Sequence, residues 1–394
     1  MDNSTLNVQR PTPFASLAAE LAGLETRGLR RSRRVLQGPQ GARVMVDGRE
    51  SVAFCSNDYL GLAAHPEIIS AARAAAADYG IGAGASHLIL GHSEPHHVLE
   101  HALARHVALP RALLFSTGYM ANIGAVTALV GRGDAVFGDR LNHASLNDAA
   151  ILSRAEFRRY PHRDMVALDR MLARSRATRK LIVTDAVFSM DGDIAPVPEL
   201  VALAERHDAW LLLDDAHGFG VLGHDGRGTL SHFGVSSPRI VYMGTLGKAA
   251  GVFGAFVAGE REVVETCVQR ARTYVYTTAM PPLLARAVLR SLELMVVEDW
   301  RRKHLLRLVA ILRAGLARTG WRLLESQTAI QPLVVGDNAG AVSLSRKLAE
   351  RGLLVPAIRP PTVPVGTARL RVSLSAAHSE DEVRRLTGAL TELQ

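Results

Sequence analysis

An α/β fold with a mostly parallel central sheet, followed by a smaller C-terminal α+β unit, is predicted by two observations. Between residues 111 and 258, short apolar runs alternate with longer amphipathic stretches. Strand, helix and strand repeated in this rhythm give a parallel sheet covered on both faces. Beyond Pro281 and Pro282 the rhythm gives way to long helical patterns and then to short strands.

Taken in chain order, the first fifty residues hold one amphipathic helix and a short hairpin over 42–54. Buried strands are expected at 112–116, 135–138, 181–185, 210–214, 240–243 and 253–258, because each is a compact apolar run rich in Val, Ile, Leu and Phe. Residues 197–207 have the spacing of an amphipathic helix. Two longer helical patterns cover 283–300 and 301–319, and the rest of the chain to 394 holds short strands and two helices. We expect an N-terminal segment at 1–55, a large domain at 56–285 and a small C-terminal domain at 286–394. Sheets of this class bind ligands just past the carboxyl ends of their strands, so chemistry is expected after each apolar run.

Composition narrows the function. With 394 residues, 48% hydrophobic and 21% charged, the chain is an ordinary globular protein that can bury a large core. No apolar run approaches the roughly 20 residues of a membrane span, so no membrane partner is expected. The opening MDNSTLNVQRPTPF lacks the basic and apolar regions of a secretory leader. Cys55 and Cys267 are the only cysteines, too few for a disulfide framework or a four-cysteine zinc site, and a cytoplasmic setting is expected. The net charge of +8 raises nucleic acid as a partner. The arginines are scattered, apart from clusters such as Arg30 to Arg34, and no helix-turn-helix or zinc finger accompanies them, so a solvated basic surface is the reading and nucleic acid is not expected.

Two strand ends carry the chemistry. The run 210–213 ends in Asp214, Asp215, Ala216, His217 and Gly218. Two acids and a histidine there are costly to hold without partners or work to do. A metal or capping cluster, or a satisfied turn, is the plainer alternative. The run at 240–243 ends in Gly244, Thr245, Leu246, Gly247 and Lys248. Lys180, Lys248, Lys303 and Lys347 are the only lysines of an arginine-rich chain. A desolvated lysine loses its proton and attacks an aldehyde, which arginine cannot do. Pyridoxal phosphate needs a lysine for its aldehyde and a carboxylate to keep its ring nitrogen protonated. These two strand ends supply both.

Two patterns mislead. Gly80, Gly82 and Gly84 mimic a dinucleotide loop, but an alanine-rich helical segment precedes them instead of a strand. His97, Glu100 and His101 spell a metalloprotease pattern, yet Val98, Leu99, Ala102 and Leu103 around them form a core face, so no metal is expected.

The chain resembles the alpha-oxoamine synthase family of fold-type I, aminotransferase-like pyridoxal-phosphate enzymes along almost its whole length. Matching stretches are SNDYLGL at 56–62, GAGASHL at 82–88, DRLNHAS at 139–145, FSMDGD at 188–193, DDAHG at 214–218 and RPPTVPVGTARLRVSLSAAH at 359–378. The resemblance implies that Lys248 carries the cofactor and acts as the base. It implies that His143 stacks on the pyridine ring, Asp214 pairs with the ring nitrogen and His217 serves the phenolic oxygen. Ser189 and Thr245 then lie near the cofactor oxygen and phosphate, and Gly118 and Tyr119 form part of the pocket wall. Thr277 and Thr278 match the segment by which a neighbouring subunit reaches the phosphate, which makes a homodimer the expected assembly. Arg371 matches the arginine that grips the amino-acid carboxylate, with Arg369 two residues away on the same strand face. Asn57, Thr362 and Arg30 match substrate contacts, with Arg31 a one-residue alternative to Arg30. Asp185 and Ala186 depart from the glutamate and glycine that many relatives carry.

Members of the family join an amino acid to an acyl thioester with loss of carbon dioxide. SHL at 86–88, DDAHG and RPPTVP imply L-alanine and a pimeloyl thioester, on coenzyme A or an acyl-carrier protein. A relative that joins glycine to an acetyl thioester is the nearest alternative. A cofactor-less binding subunit of a larger synthase is the reading from another class, and intact Lys248, Asp214, His143 and His217 oppose it.

Overall fold

The computed structural model describes residues 13–27 and 29–394. Seven strands form the central sheet: β1 (Arg111–Phe115), β2 (Ala135–Asp139), β3 (Glu156–Tyr160), β4 (Lys180–Asp185), β5 (Trp210–Asp214), β6 (Ile240–Thr245) and β7 (Ala255–Gly259). Their spatial order is β1-β7-β6-β5-β4-β2-β3. From β6 to β3 all neighbours run parallel, and only β7 is antiparallel to its two neighbours. The expected mostly parallel sheet is therefore present.

The near-continuous apolar strands follow from burial on both faces. On β5, Leu211 and Leu213 pack into one hydrophobic cluster and Leu212 into the cluster on the opposite face. Ile182 on β4 divides from Leu181 and Val183 in the same way. Leu212→Ala should cost about 2–5 kcal/mol, the range for a fully buried leucine whose cavity cannot collapse. A loss of less than about a quarter of that, read from denaturant unfolding, would show that the sheet relaxes around the gap.

β3 escapes the sequence reading because EFRRY has no apolar run. It is an edge strand paired only with β2, and charged side chains protect such an edge from stray pairing. The long helical patterns appear as Pro282–Val297 and Trp300–Leu316, interrupted at Glu298 and Asp299. The amphipathic helix expected near the N-terminus spans Ala15–Thr26 but buries none of its residues in the single chain, with Leu17 and Leu21 exposed.

The C-terminal part contains a four-stranded antiparallel sheet in which Ala368–Ser373 lies between Ile330–Gly336 and Ala357–Ile358. The N-terminal hairpin, Arg43–Val46 with Arg49–Ala53, pairs in parallel with Leu353–Leu354. Ser373 donates its amide to the Phe54 carbonyl at 2.9 Å, and Ala376 donates to that of Tyr59 at 2.8 Å. These bonds hold the strand carrying Arg371 against residues 54–59, beside the carboxyl ends of the central strands.

Candidate active site

Five chain turns after β1, β2, β4, β5 and β6 meet above the sheet, as the parallel topology requires. Lys248 stands three residues past β6, half-buried, with its Nζ 2.9 Å from His217 Nε2. Burial pushes its amine down to about 8, against the opposing pull of the Asp214 and Asp185 carboxylates. Gly251 makes the turn behind it possible. Its φ is +67°, and a Cβ there would lie 2.5 Å from the Ala63 amide nitrogen.

Asp214 ends β5, with Asp185 of β4 beside it in register. Asp214 accepts from the Asn122 side-chain amide at 2.7 Å and from the Ala216 backbone at 3.0 Å. Asn122 also donates to Ser145 Oγ at 2.9 Å, and Ser145 Oγ lies 2.8 Å from His143 Nδ1. A polar chain thus connects the buried carboxylate to the imidazole. His143 caps the helix Ala144–Ser153 and leaves its side chain exposed, while its amide donates to Asp185 Oδ2 at 2.6 Å. The part of the ring that packs into the pocket is desolvated, which lowers its affinity for a proton against the opposing pull of Asp214. Burial and the Asp214 charge push the Asp185 carboxyl well above its ordinary range. Asp185 is therefore a buried support for His143.

His217 is fully enclosed. Burial first, then the charges of Lys248 and Arg371, hold its ring well below the ordinary histidine range, so it stays neutral. Its Nδ1 lies 2.6 Å from Tyr59 Oη. Asp215 faces away from this pocket, taking hydrogen bonds from the Thr229 amide at 2.7 Å and from Tyr242 Oη at 2.8 Å. Gly228, with φ +92°, lets the chain pass there, since a Cβ would meet Asp215 Oδ2 at 2.2 Å.

The two arginines of one strand face separate. Arg369 forms an ion pair with Asp191 at 2.6 Å. Arg371 donates to the Ser189 carbonyl at 2.5 Å, to Ser373 Oγ at 2.8 Å and to Asn57 Oδ1 at 3.3 Å from each terminal nitrogen. A structural role falls to Arg369. Thr245 donates its hydroxyl to the Gly254 carbonyl at 3.1 Å. Gly118 and Tyr119 open the helix Gly118–Leu129, capped by Thr117, whose Oγ1 accepts from the Met120 amide. Such a helix start offers free amides to an anion.

Other expected residues stay apart from this cluster. Arg30 is exposed and pairs with Glu25 at 2.8 Å. Thr362 is exposed beyond the cis Pro360–Pro361 bond. Thr277 is half-buried and Thr278 exposed, between the helices Arg272–Val275 and Pro282–Val297. A cleft of about 480 Å³ leads from Lys248 past Asn57 and Cys55 to Val44, Leu354 and Arg34. Of the run Arg30 to Arg34, it is Arg34 that lines this cleft, a placement the run of similar letters did not reveal.

The metalloprotease pattern also resolves. Glu100 is half-buried, its carboxylate accepts from the Leu114 amide at 3.0 Å, and desolvation of that carboxyl pushes it up to about 7. Nearby, His87, His92 and His96 bring ring nitrogens within 4.8 Å of one another. Both nitrogens of His96 are already engaged, one by Ser93 and the other by the Met280 carbonyl at 2.6 Å.

Residues 49–390 match the model of the class I and II aminotransferases. The 8-amino-7-oxononanoate synthase of Nitrosospira multiformis is 63% identical over 367 residues, which cover 93% of each chain. A serine palmitoyltransferase solved with pyridoxal phosphate superposes with a TM-score of 0.90 at 31% identity, covering 96% of both chains. The 8-amino-7-oxononanoate synthase of Francisella tularensis superposes with a TM-score of 0.76 at 29% identity, covering 87% of this chain and 97% of that one. The chain belongs to the class I and II aminotransferase family and, within it, to the 8-amino-7-oxononanoate synthases.

Proposed function

We propose that this protein condenses L-alanine with a pimeloyl thioester, carried on coenzyme A or an acyl-carrier protein, releasing carbon dioxide and the free thiol to give 8-amino-7-oxononanoate for biotin synthesis. The observation that carries the reading is a half-buried lysine whose amine is lowered to about 8, touching a neutral histidine in a pocket that also holds a buried aspartate and a forked arginine.

The donor set fits pyridoxal phosphate. Lys248 is a nucleophilic amine, Asp214 is a buried carboxylate, His143 offers an open ring face, and the helix start at Gly118 and Tyr119 suits a phosphate. Thr245 and Ser189 complete that cradle, and His217 serves the ring oxygen. The bound cofactor supplies an electron sink for the substrate α-carbon.

The protein's own groups do the rest. Arg371, aided by Asn57, binds the amino-acid carboxylate through its planar fork. Lys248 Nζ, which gives up its proton far more readily than an ordinary lysine, takes the α-proton and later returns one. The Asp214 carboxylate holds a proton on the ring nitrogen, with Asn122 and Ala216 keeping it aimed. His143 covers one ring face and orients the bond to be broken. By the family resemblance Arg30 and Thr362 contact substrate, and Thr277 and Thr278 reach the phosphate of a second copy. The working form is therefore a homodimer, and its setting is the cytoplasm. Among the described residues, no helix is long and apolar enough to cross a membrane.

Purified protein given alanine or glycine against pimeloyl or acetyl thioesters should turn over the alanine and pimeloyl pair fastest. Preference for glycine and the acetyl thioester would replace this reading by glycine acetyltransfer. Arg371→Ala should weaken alanine by about 2–4 kcal/mol, roughly thirty- to a thousandfold in KM. Arg371→Lys should recover only part of it, since an ammonium lacks the fork. Arg371→Ala should also lower the melting temperature, because the Ser189 carbonyl and Ser373 lose their donor.

A further inference from the structure

Tyr59 has no assigned work, yet it sits where the two halves of the site meet. Its ring is fully buried. Its backbone is fixed at both ends, by its amide to the Asn57 carbonyl at 2.8 Å and by its carbonyl to the Ala376 amide at 2.8 Å. The phenol oxygen has three polar neighbours: His217 Nδ1 at 2.6 Å, Asn57 Oδ1 at 3.1 Å and Arg371 Nη2 at 3.5 Å.

Hydrogen-bond accounting decides where the single phenol proton goes. Arg371 can only donate, so Tyr59 Oη accepts from that side. Asn57 Oδ1 already takes two N–H groups from Arg371. His217 Nδ1 is the nearest acceptor, and no other partner competes for it among the described contacts. Burial raises the hydroxyl above its ordinary range, so Tyr59 keeps a proton to donate. Lys248, Arg371 and His143 all face His217 as cations or potential cations and oppose a second ring proton. A neutral ring that accepts at Nδ1 carries its proton on Nε2, which points to Lys248 Nζ at 2.9 Å, a contact the lysine can accept only as its neutral amine, above about 8.

We propose that Tyr59 is a positioning residue that holds His217 as the Nε2–H tautomer, donating toward Lys248, and ties that proton to the Asn57–Arg371 pair. The proposal rests on the roles given above to Lys248, His217 and Arg371. A donor at Nε2 is what the anionic ring oxygen of the cofactor requires on that side. Without the phenol, Nδ1 could take the proton and leave an acceptor facing the lysine.

Nitrogen-15 NMR of the histidine rings in the apoprotein above about pH 8, where Lys248 is a neutral amine able to accept, tests this directly, with His217→Asn assigning the signal. The wild-type ring should show a protonated Nε2 and a bare Nδ1, and Tyr59→Phe should mix or reverse the two. In the holoprotein, Tyr59→Phe should shift the pH midpoint of cofactor absorbance and lower kcat about tenfold, with KM for alanine within about twofold, the size expected for one hydrogen bond. A wild-type proton on Nδ1 overturns the proposal, and so does a folded Tyr59→Phe with unchanged tautomer and absorbance midpoint. Should Tyr59→Phe not fold, the wild-type spectrum alone decides. Failure of the proposed reaction would appear separately, as wild-type protein that makes no product while its tautomer stands as measured.

Discussion

Lys248→Ala should abolish turnover, lowering kcat by roughly 10⁴-fold or more, since proton transfer by a placed base alone is worth about 10²–10⁴ and the same residue also anchors the cofactor. Borohydride treatment of the wild-type holoprotein should fix pyridoxal phosphate on a peptide containing Lys248. The variant should lose that label while keeping its fold, because among the described residues the Lys248 amine hydrogen-bonds only with His217. Label on Lys180, Lys303 or Lys347 would overturn the assignment. Of these, Lys180 is bound to the His207 carbonyl at 2.6 Å and Lys303 to Asp299 at 2.6 Å. The pH dependence has a definite sign. An ordinary lysine gains its free amine near 10.5, whereas Lys248 does so as pH rises through about 8. Apoprotein should therefore react with aldehydes through a midpoint near 8. Between about 8 and 10.5 the unfolded chain binds the extra proton, so this group's contribution to stability should rise with pH across that window.

The strands that carry chemistry were legible because both their faces are buried, so β2, β4, β5 and β6 show as apolar runs ending in polar residues. β3 was not, since an edge strand with charged side chains carries no such signature. Lys248 stood out by composition, in a chain that otherwise uses arginine. Arg369 and Arg371 could not be told apart by a period of two, because both are buried and only their partners, Asp191 against Asn57 and Ser189, separate them. Tyr59 and Asn122 escaped notice for another reason. Each looks like part of an ordinary turn or helix, and each acquires its role only from a residue about a hundred or more positions away, His217 or Asp214. Arg34 emerged only once the extended chain after the first helix was seen to enter the cleft. Tertiary proximity of this kind leaves no local trace in sequence.

Asp214→Asn should still bind the cofactor but should slow exchange of the alanine α-proton with solvent deuterium on the order of 10²–10³-fold, the loss expected when a preorganised charge is removed. Exchange without acyl thioester isolates the proton step from the later bond formation. The amide can still accept from Asn122 or Ala216, so the local fold should survive. Its NH₂ group cannot hold a proton on the ring nitrogen by charge. Asp185 lies alongside in register but already supports the His143 amide and is pushed toward its neutral form, so it cannot substitute without releasing that bond. Asp215→Asn is the matched control. Its carboxyl, pushed up to about 7 by burial, is bound to Thr229 and Tyr242 on the far side of the turn. That variant should lose stability, by about 1–3 kcal/mol for the disrupted buried hydrogen bonds, while exchange stays within a few-fold of wild type. The reverse pattern, near wild-type exchange in Asp214→Asn and slow exchange in a folded Asp215→Asn, would move the ring-nitrogen role from Asp214 to its neighbour.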